Sequence, residues 1–291
     1  MQRVIRWLCL YCALAFLAGC SAPDVITDER RYFETSVRHH ASLKHQTIEY
    51  QGDRLHFVGA GDIKKPALII IHGTPSEWWQ FARLMLNKAL LAEFYVVVID
   101  RPGWGQSTLA GDRKTATFAQ QSALIGRLVE QLRDASDNQP VIIMGHSLGA
   151  SLAPRIAVDF PEKVDGLLLL AGTLDPALAS PRWFNYAATL WVVNVLLSED
   201  MRKANEEIFE LKNNLISTGE QWASLGIKTI VVQGMSDQLV YPANADFADK
   251  LLDSNNAQVI RLEKTGHFFP MTEQQKVIDW SLALLQRIKS P

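Results

Sequence analysis

Residues 141–150, VIIMGHSLGA, decide how the rest of the chain is interpreted. Four apolar residues lead into Gly145, and Ser147 then stands between two glycines. A continuous apolar run of this kind is typical of a strand buried on both faces in a parallel sheet. Residues 148–159 have an amphipathic pattern that predicts a helix. We therefore expect Ser147 on a sharp turn between strand and helix, where flanking glycines avoid side-chain clashes.

The same alternation of strand-like and helix-like segments continues along most of the chain. An antiparallel hairpin is predicted at residues 47–59. Further buried strands are predicted at residues 67–72, 94–100, 164–172, 228–234 and 257–263. Amphipathic segments predict helices at residues 77–91, 117–133, 243–252 and 273–288. This order favours an α/β fold: a doubly wound, mostly parallel eight-stranded sheet with helices on both faces.

One interval, at about residues 174–225, has no strand pattern and follows the sixth predicted strand. It contains two or three helical segments, and an insertion of this size at one edge of the sheet predicts a small helical lid. Trp183 and Trp191 in the lid, together with Trp78, are candidates for the wall of a substrate pocket. The lid's apolar residues are also expected to pack it onto the core, or to make shallow contact with a bilayer surface.

Three polar residues are expected to meet where the parallel strands end, because ligands bind at the carboxyl ends of such strands. The hydroxyl of Ser147 becomes a nucleophile only when a base takes its proton. His267 lies in the loop between the last strand and the last helix and is the candidate base. Asp237 follows another buried strand and is the candidate for the carboxylate that orients the imidazole. Asp175 also follows a strand at this edge and is the alternative acid.

Five motifs in order resemble the α/β-hydrolase fold superfamily, in particular its serine esterases and lipases. They are HGTP, DRPGWGQS, GHSLG, GMSDQLV and TGHFF, beginning at residues 72, 100, 145, 234 and 265. The resemblance covers the chain from about residue 46 to residue 291 and agrees with the Ser, Asp, His order of that fold. It implies an oxyanion hole formed by the backbone N–H groups of Thr74 and Leu148. Asp100, within the second motif, is expected to brace its loop.

The resemblance implies a serine hydrolase, and we expect a carboxylesterase acting on a modest-sized, largely apolar ester. The same residues suit the cleavage of a lactone, a thioester, an amide or a carbon–carbon bond beside a carbonyl. A ligand-binding module with little turnover is the alternative of another class.

The first twenty residues are expected to be a targeting segment. Arg3 and Arg6 precede an apolar run at residues 7–18, which is shorter than the roughly 20 residues that span a bilayer as a helix. The run ends in Leu-Ala-Gly before Cys20, which resembles a bacterial lipoprotein signal. This resemblance implies cleavage after residue 19, lipidation of Cys20, a tether over residues 20–45, and an outer-membrane location facing the periplasm. A plain secretory signal is the alternative.

Several other classes of function are disfavoured by composition. The formal net charge is −2 with no long run of like charge, so no nucleic-acid partner is expected. All three cysteines lie within the first twenty residues, which leaves no thiol or disulfide chemistry for the domain. No His-Glu-x-x-His or phosphate-binding glycine loop occurs, so neither a metal nor a cofactor is expected. The expected partners are a small ester-type substrate and, through Cys20, a membrane; the oligomeric state is left open.

Overall fold

The computed structural model of the protein describes residues 22–37, 40, 42–111, 113 and 115–290. The predicted signal segment and Cys20 lie outside the described residues. Across these ranges, no helix combines the length and the apolar character needed to cross a membrane.

A single mixed sheet forms the centre of the described chain. Its strands are β1 Lys44–Tyr50, β2 Asp53–Ala60, β3 Ala67–Ile71, β4 Tyr95–Ile99, β5 Val141–His146, β6 Gly166–Leu170, β7 Lys228–Gly234 and β8 Ala257–Leu262. Their order in space is β1-β2-β4-β3-β5-β6-β7-β8. The pairs β1–β2 and β2–β4 are antiparallel, and every other pair is parallel. The prediction of an eight-stranded, mostly parallel sheet is confirmed.

Helices cover both faces of the sheet, as predicted for a doubly wound fold. They are α1 Ala22–Tyr32, α2 Ala82–Met85, α3 Lys88–Glu93, α4 Phe118–Ala135, α5 Leu148–Asp159, α6 Trp183–Thr189, α7 Trp191–Asn194, α8 Glu199–Thr218, α9 Asn244–Leu251, α10 Phe269–Thr272 and α11 Gln274–Lys289. Alternate residues of β3 enter two apolar layers. Ile69 and Ile71 pack with α4 and α5, whereas Leu68 and Ile70 pack with α2, α3 and α11. Burial on both faces explains why this strand is continuously apolar.

The lid occupies the connection between β6 and β7 and consists of α6, α7, α8 and two short 3-10 turns, Pro176–Leu178 and Gln221–Leu225. Its long helix α8 lies against the body of the protein. The side chain of Asn214 accepts a hydrogen bond from the backbone N–H of Phe118 at 3.0 Å, which ties α8 to the first residue of α4.

Two local expectations differ from the structure. The segment predicted as one helix at residues 77–91 is a 3-10 turn, Trp78–Phe81, followed by α2 and α3. The side chain of Asn87 accepts from the N–H groups of Ala89 and Leu90, so it starts a new helix instead of continuing the old one.

The described residues of the segment expected as a polar tether, 22–37, 40 and 42–45, contact the domain at several points. Glu29 on α1 is buried and pairs with Arg83 at 3.0 Å, and Val37 is fully buried. The ring of Phe33 meets the ring of Trp78 edge-on, with centroids 5.3 Å apart. These contacts join residues far apart in the sequence, so the weak local pattern of this segment does not reveal them.

Candidate active site

Ser147 occupies the turn between β5 and α5 with φ 54° and ψ −121°, a conformation that a non-glycine residue adopts only where its surroundings impose it. Its N–H donates to the carbonyl of Leu170 at 2.9 Å. A Cβ on Gly145 would lie 2.3 Å from the carbonyl oxygen of Gly149, and one on Gly149 would lie 2.2 Å from that of Ile71. Both flanking positions must therefore be glycine for strand and helix to approach this closely.

His267 and Asp237 meet at the same edge of the sheet. The Nδ1 atom of His267 lies 2.7 Å from Oδ2 of Asp237. The other carboxylate oxygen of Asp237 accepts from the N–H groups of Leu239 and Val240 at 2.8 and 2.9 Å. Burial raises the pKa of Asp237, but the hydrogen bonds and charge of His267 and the two N–H groups outweigh it, so the pKa is lowered. An ionised carboxylate only accepts, so Nδ1 carries the proton and Nε2 is free to act as a base.

Asp175, the alternative acid, has another contact. Its carboxylate accepts from the N–H of Ala177 at 2.7 Å and caps the 3-10 turn that follows. Its own N–H donates to the side chain of Asn244 at 3.1 Å. Of the two carboxylates considered from the sequence, Asp237 is the one that the structure brings to His267.

Ser147, Asp237 and His267 line one cavity of about 860 Å³ between the sheet edge and the lid. Thr74 and Leu148 also line it. Leu148 is the first residue of α5, and the first N–H groups of a helix have no acceptor within that helix. Of the two residues expected to form the oxyanion hole, Leu148 thus follows Ser147 at a helix N-terminus that favours negative charge, and Thr74 lines the same cavity from the loop after β3.

The three tryptophans expected at the pocket are placed differently from one another. Trp183 lines the cavity, whereas Trp78 and Trp191 are not among its lining residues. Trp78 is buried beneath α1, and its ring also meets the ring of His45 edge-on. Trp191 begins α7 on the outer side of the lid and is 78% exposed. The expectation of a pocket contact is therefore not met for these two residues.

The sequence did not indicate several residues of the cavity wall. Ile26 on α1 and Tyr241 after β7 contribute from outside the lid. Ile208 on α8 is also part of the wall, and its place on an amphipathic helix was the only available signal. The contact made by Ile26 depends on the packing of α1, which local sequence does not show.

A buried ion pair lies behind the loop that carries Thr74. The guanidinium of Arg101 pairs with both carboxylate oxygens of Glu207 on α8, at 2.7 and 3.0 Å. It also donates to the carbonyls of His72 and Gly73, each at 3.0 Å. Arg101 therefore joins the lid to the backbone immediately before the expected oxyanion donor.

The charges of this network follow from its burial. Burial raises the pKa of Glu207, but the charge and hydrogen bonds of Arg101 outweigh it, so the pKa is lowered and Glu207 is ionised. Burial, assisted by the charge of Arg101, lowers the pKa of His72 to about 4. Its Nε2 accepts from the backbone N–H of Arg101 at 2.9 Å, as a neutral imidazole can.

The loop of the second motif is braced by its first residue. One carboxylate oxygen of Asp100 accepts from the N–H of Trp78 at 2.9 Å. The other accepts from the N–H of Gln106 at 3.0 Å and lies 2.8 Å from Nδ1 of His56. Asp100 thus holds the loop in place at a distance from the cavity. In the part of the chain that the structure describes, no three His, Cys, Asp or Glu side chains are grouped to hold a metal ion.

Comparison with known proteins agrees with the fold and the motifs. A model of the alpha/beta hydrolase family matches residues 68–280, and the chain belongs to this family. Epoxide hydrolase 4 of Mus musculus is 29% identical over 126 residues, covering 42% of this chain and 33% of that protein. The match thus spans about a third of the length of that relative.

Solved structures show the same architecture. The thioesterase domain from the curacin biosynthetic pathway superposes with a TM-score of 0.62 at 20% identity, covering 83% of this chain and 99% of that chain. A membrane phospholipase A superposes with a TM-score of 0.63 at 17% identity, covering 100% of both chains. At these identities the likeness concerns the fold alone.

Proposed function

We propose that this protein is a serine hydrolase that cleaves carboxylic esters through an acyl-enzyme. The Oγ atom of Ser147 bonds to the ester carbonyl carbon while its proton passes to Nε2 of His267. The N–H groups of Thr74 and Leu148 donate to the oxyanion, and one such donor is typically worth about 3 kcal/mol. The bond to the alcohol then breaks, and His267 gives the proton to the leaving oxygen. A water molecule then attacks the carbonyl carbon of the acyl-enzyme while His267 takes its proton. The bond to Ser147 breaks, Ser147 regains its proton from His267, and the carboxylic acid leaves.

The observation that carries this proposal is the 2.7 Å contact between His267 and Asp237, at the wall of the cavity that also holds Ser147. A base is oriented by a buried carboxylate and shares a cavity with a hydroxyl on a constrained turn. A protein that only binds its ligand does not require an oriented base in the same cavity as a serine hydroxyl.

The lining of the cavity supports a largely apolar substrate. Lid side chains in the wall include Phe184, Leu197 and Ile208, and Arg182 is the one positively charged side chain among the described lining residues, setting aside His146 and His267. A volume of about 860 Å³ accommodates a molecule larger than a simple short-chain ester. A thioester is the second candidate, because the same three residues can attack and release its acyl group.

Variants of the three residues test the chemistry. Ser147→Ala should abolish ester turnover and labelling by a fluorophosphonate, while circular dichroism shows an intact fold. Asp237→Asn should lower turnover by roughly 10⁴, because an amide favours the wrong imidazole tautomer. Asp175→Asn is the matched control and should have little effect. Labelling at another serine, or the reverse ranking of the two Asp variants, would contradict the proposal.

We further propose that Cys20 carries a lipid that holds the domain at the outer membrane, facing the periplasm. The support is the sequence alone: a charged start, an apolar run too short to span, and Leu-Ala-Gly-Cys at its end. Stable anchoring requires more than one acyl chain, which lipoprotein processing would supply. The wild-type protein should partition into detergent, and Cys20→Ala should remove it from the mature anchored pool. If Cys20→Ala is processed and fractionates as before, this part of the proposal fails.

A further inference from the structure

The first helices of the lid expose several large apolar side chains that are close together in the sequence. We name this set the lid patch; its members are Trp183, Tyr186, Leu190, Trp191, Val192, Val195 and Leu196. Trp191 and Leu196 are 78% and 81% exposed. Residues 183–197 contain no Asp, Glu, Lys or Arg. No charge within these residues would therefore have to be desolvated if their side chains left water.

The lid patch reaches the size at which exposed apolar surfaces of monomeric proteins are often functional. Its two tryptophans alone place roughly 300 Å² of side chain in water, given about 150–250 Å² for a large aromatic residue. The leucines and valines add to this area. Exposed apolar patches beyond a few hundred Å² mark interaction surfaces.

The patch offers little to the polar groups of a protein partner. Thr189 donates to the carbonyl of Tyr186 at 2.7 Å, and Asn194 donates to that of Ala188 at 3.2 Å. These side chains thus use their donors within the lid. Specific protein interfaces carry about one hydrogen bond for every 100–200 Å². The remaining donors of the patch are the hydroxyl of Tyr186 and the indole N–H groups of Trp183 and Trp191. Large apolar rings with a single polar group are typical of the interfacial region of a lipid bilayer.

The start of the described chain lies beside the lid. Ile26 on α1 lines the same cavity as the lid residues Leu197 and Met201.

A lipid on Cys20, as proposed above, would be held close to this cavity wall. Cys20 precedes Ile26 by six positions, and a fully extended chain of that length spans only about 20 Å. A membrane that held this anchor would therefore be within reach of the lid patch.

We propose that the lid patch docks on a lipid bilayer surface and turns the cavity toward it. Docking is independent of the enzymatic activity. The further consequence, that apolar esters reach Ser147 from the bilayer, rests on the proposed function.

The test measures binding of the full chain, carrying Cys20→Ala to remove any lipid at that residue. The probe is a vesicle of phosphatidylethanolamine and phosphatidylglycerol, and bound protein is separated by flotation. The added pair Trp191→Ser and Leu196→Ser should lower the partition coefficient about tenfold or more. The control is Ile216→Ser, which is 59% exposed and lies roughly 22 Å further along α8 than Met201. This control should bind like the parent.

Each outcome decides the proposal. Binding that the pair does not reduce would overturn it and assign membrane contact to residues 1–20. A dimer seen by ultracentrifugation without vesicles, and lost in the pair, would overturn it in favour of a second copy. Turnover of a water-soluble short-chain ester separates docking from chemistry. The variant with Trp191→Ser and Leu196→Ser should keep this turnover, because neither side chain lines the cavity. If the Cys20→Ala parent and the pair variant both lack turnover but still differ in vesicle binding, the proposed function alone is refuted.

Discussion

The ion pair between Arg101 and Glu207 yields the sharpest prediction for stability. Glu207→Ala removes two charged contacts of 2.7 and 3.0 Å and the hydrogen bond from Nε1 of Trp104 at 3.1 Å. The guanidinium of Arg101 is fully buried, so water cannot replace the lost carboxylate. Removing one partner of a buried pair typically costs about 3–5 kcal/mol. For a domain of this size, the melting temperature should fall by roughly 10 °C.

Urea unfolding followed by tryptophan fluorescence measures this loss. Glu206→Ala is the matched control, because Glu206 is on the same helix but exposed, and its effect should stay within about 0.5 kcal/mol. Combining Arg101→Met with Glu207→Leu removes both charges. The loss in free energy of unfolding for this double variant should be at least about 2 kcal/mol smaller than the sum of the losses for the two single variants.

Some loss should remain in that double variant. The carbonyl of His72 would lose its donor from Arg101, at about 1–3 kcal/mol. The carbonyl of Gly73 would also lose Arg101 but would keep its hydrogen bond from Nδ1 of His72 at 2.7 Å. A Glu207→Ala protein as stable as the Glu206→Ala control would refute the view that the lid is held to the body by a desolvated charge pair.

Two further predictions concern packing and pH. Gly149→Ala should cost about 1–3 kcal/mol in urea unfolding, because its Cβ would meet the backbone carbonyl of Ile71, whereas Gly266→Ala meets no atom within 4 Å and should be mild; equal losses would contradict this. Burial lowers the pKa of His146 to about 3 and that of His72 to about 4. Histidine in the unfolded chain takes up a proton below about pH 6.5, whereas these two buried side chains stay neutral. Each histidine should therefore lower the free energy of unfolding by about 1.4 kcal/mol per pH unit as the pH falls from 6.5 toward 4. A urea midpoint that is unchanged over this window would contradict the assignment.

The sequence by itself determined the strands, turns and helices that follow from short patterns of neighbouring residues. A continuous apolar run followed by Gly-x-Ser-x-Gly predicts strand, turn and helix, because burial sets the strand pattern and glycine sterics set the turn. The order of strands and helices then implies one sheet edge that collects Ser147, Asp237 and His267. Both the sheet and this grouping appear in the structure.

The tertiary structure decided the contacts that depend on how elements are rotated and docked. Trp183 and Trp191 are alike in the sequence and both are exposed, yet packing of the lid helices places only Trp183 at the wall of the cavity. Asp175 and Asp237 both follow strands, and only the loop after β7 reaches His267. Glu207 lies 106 residues from Arg101, and no local pattern pairs them. Local periodicity fixes which face of an element is apolar, but the identity of its partner depends on long-range packing that no short window of sequence contains.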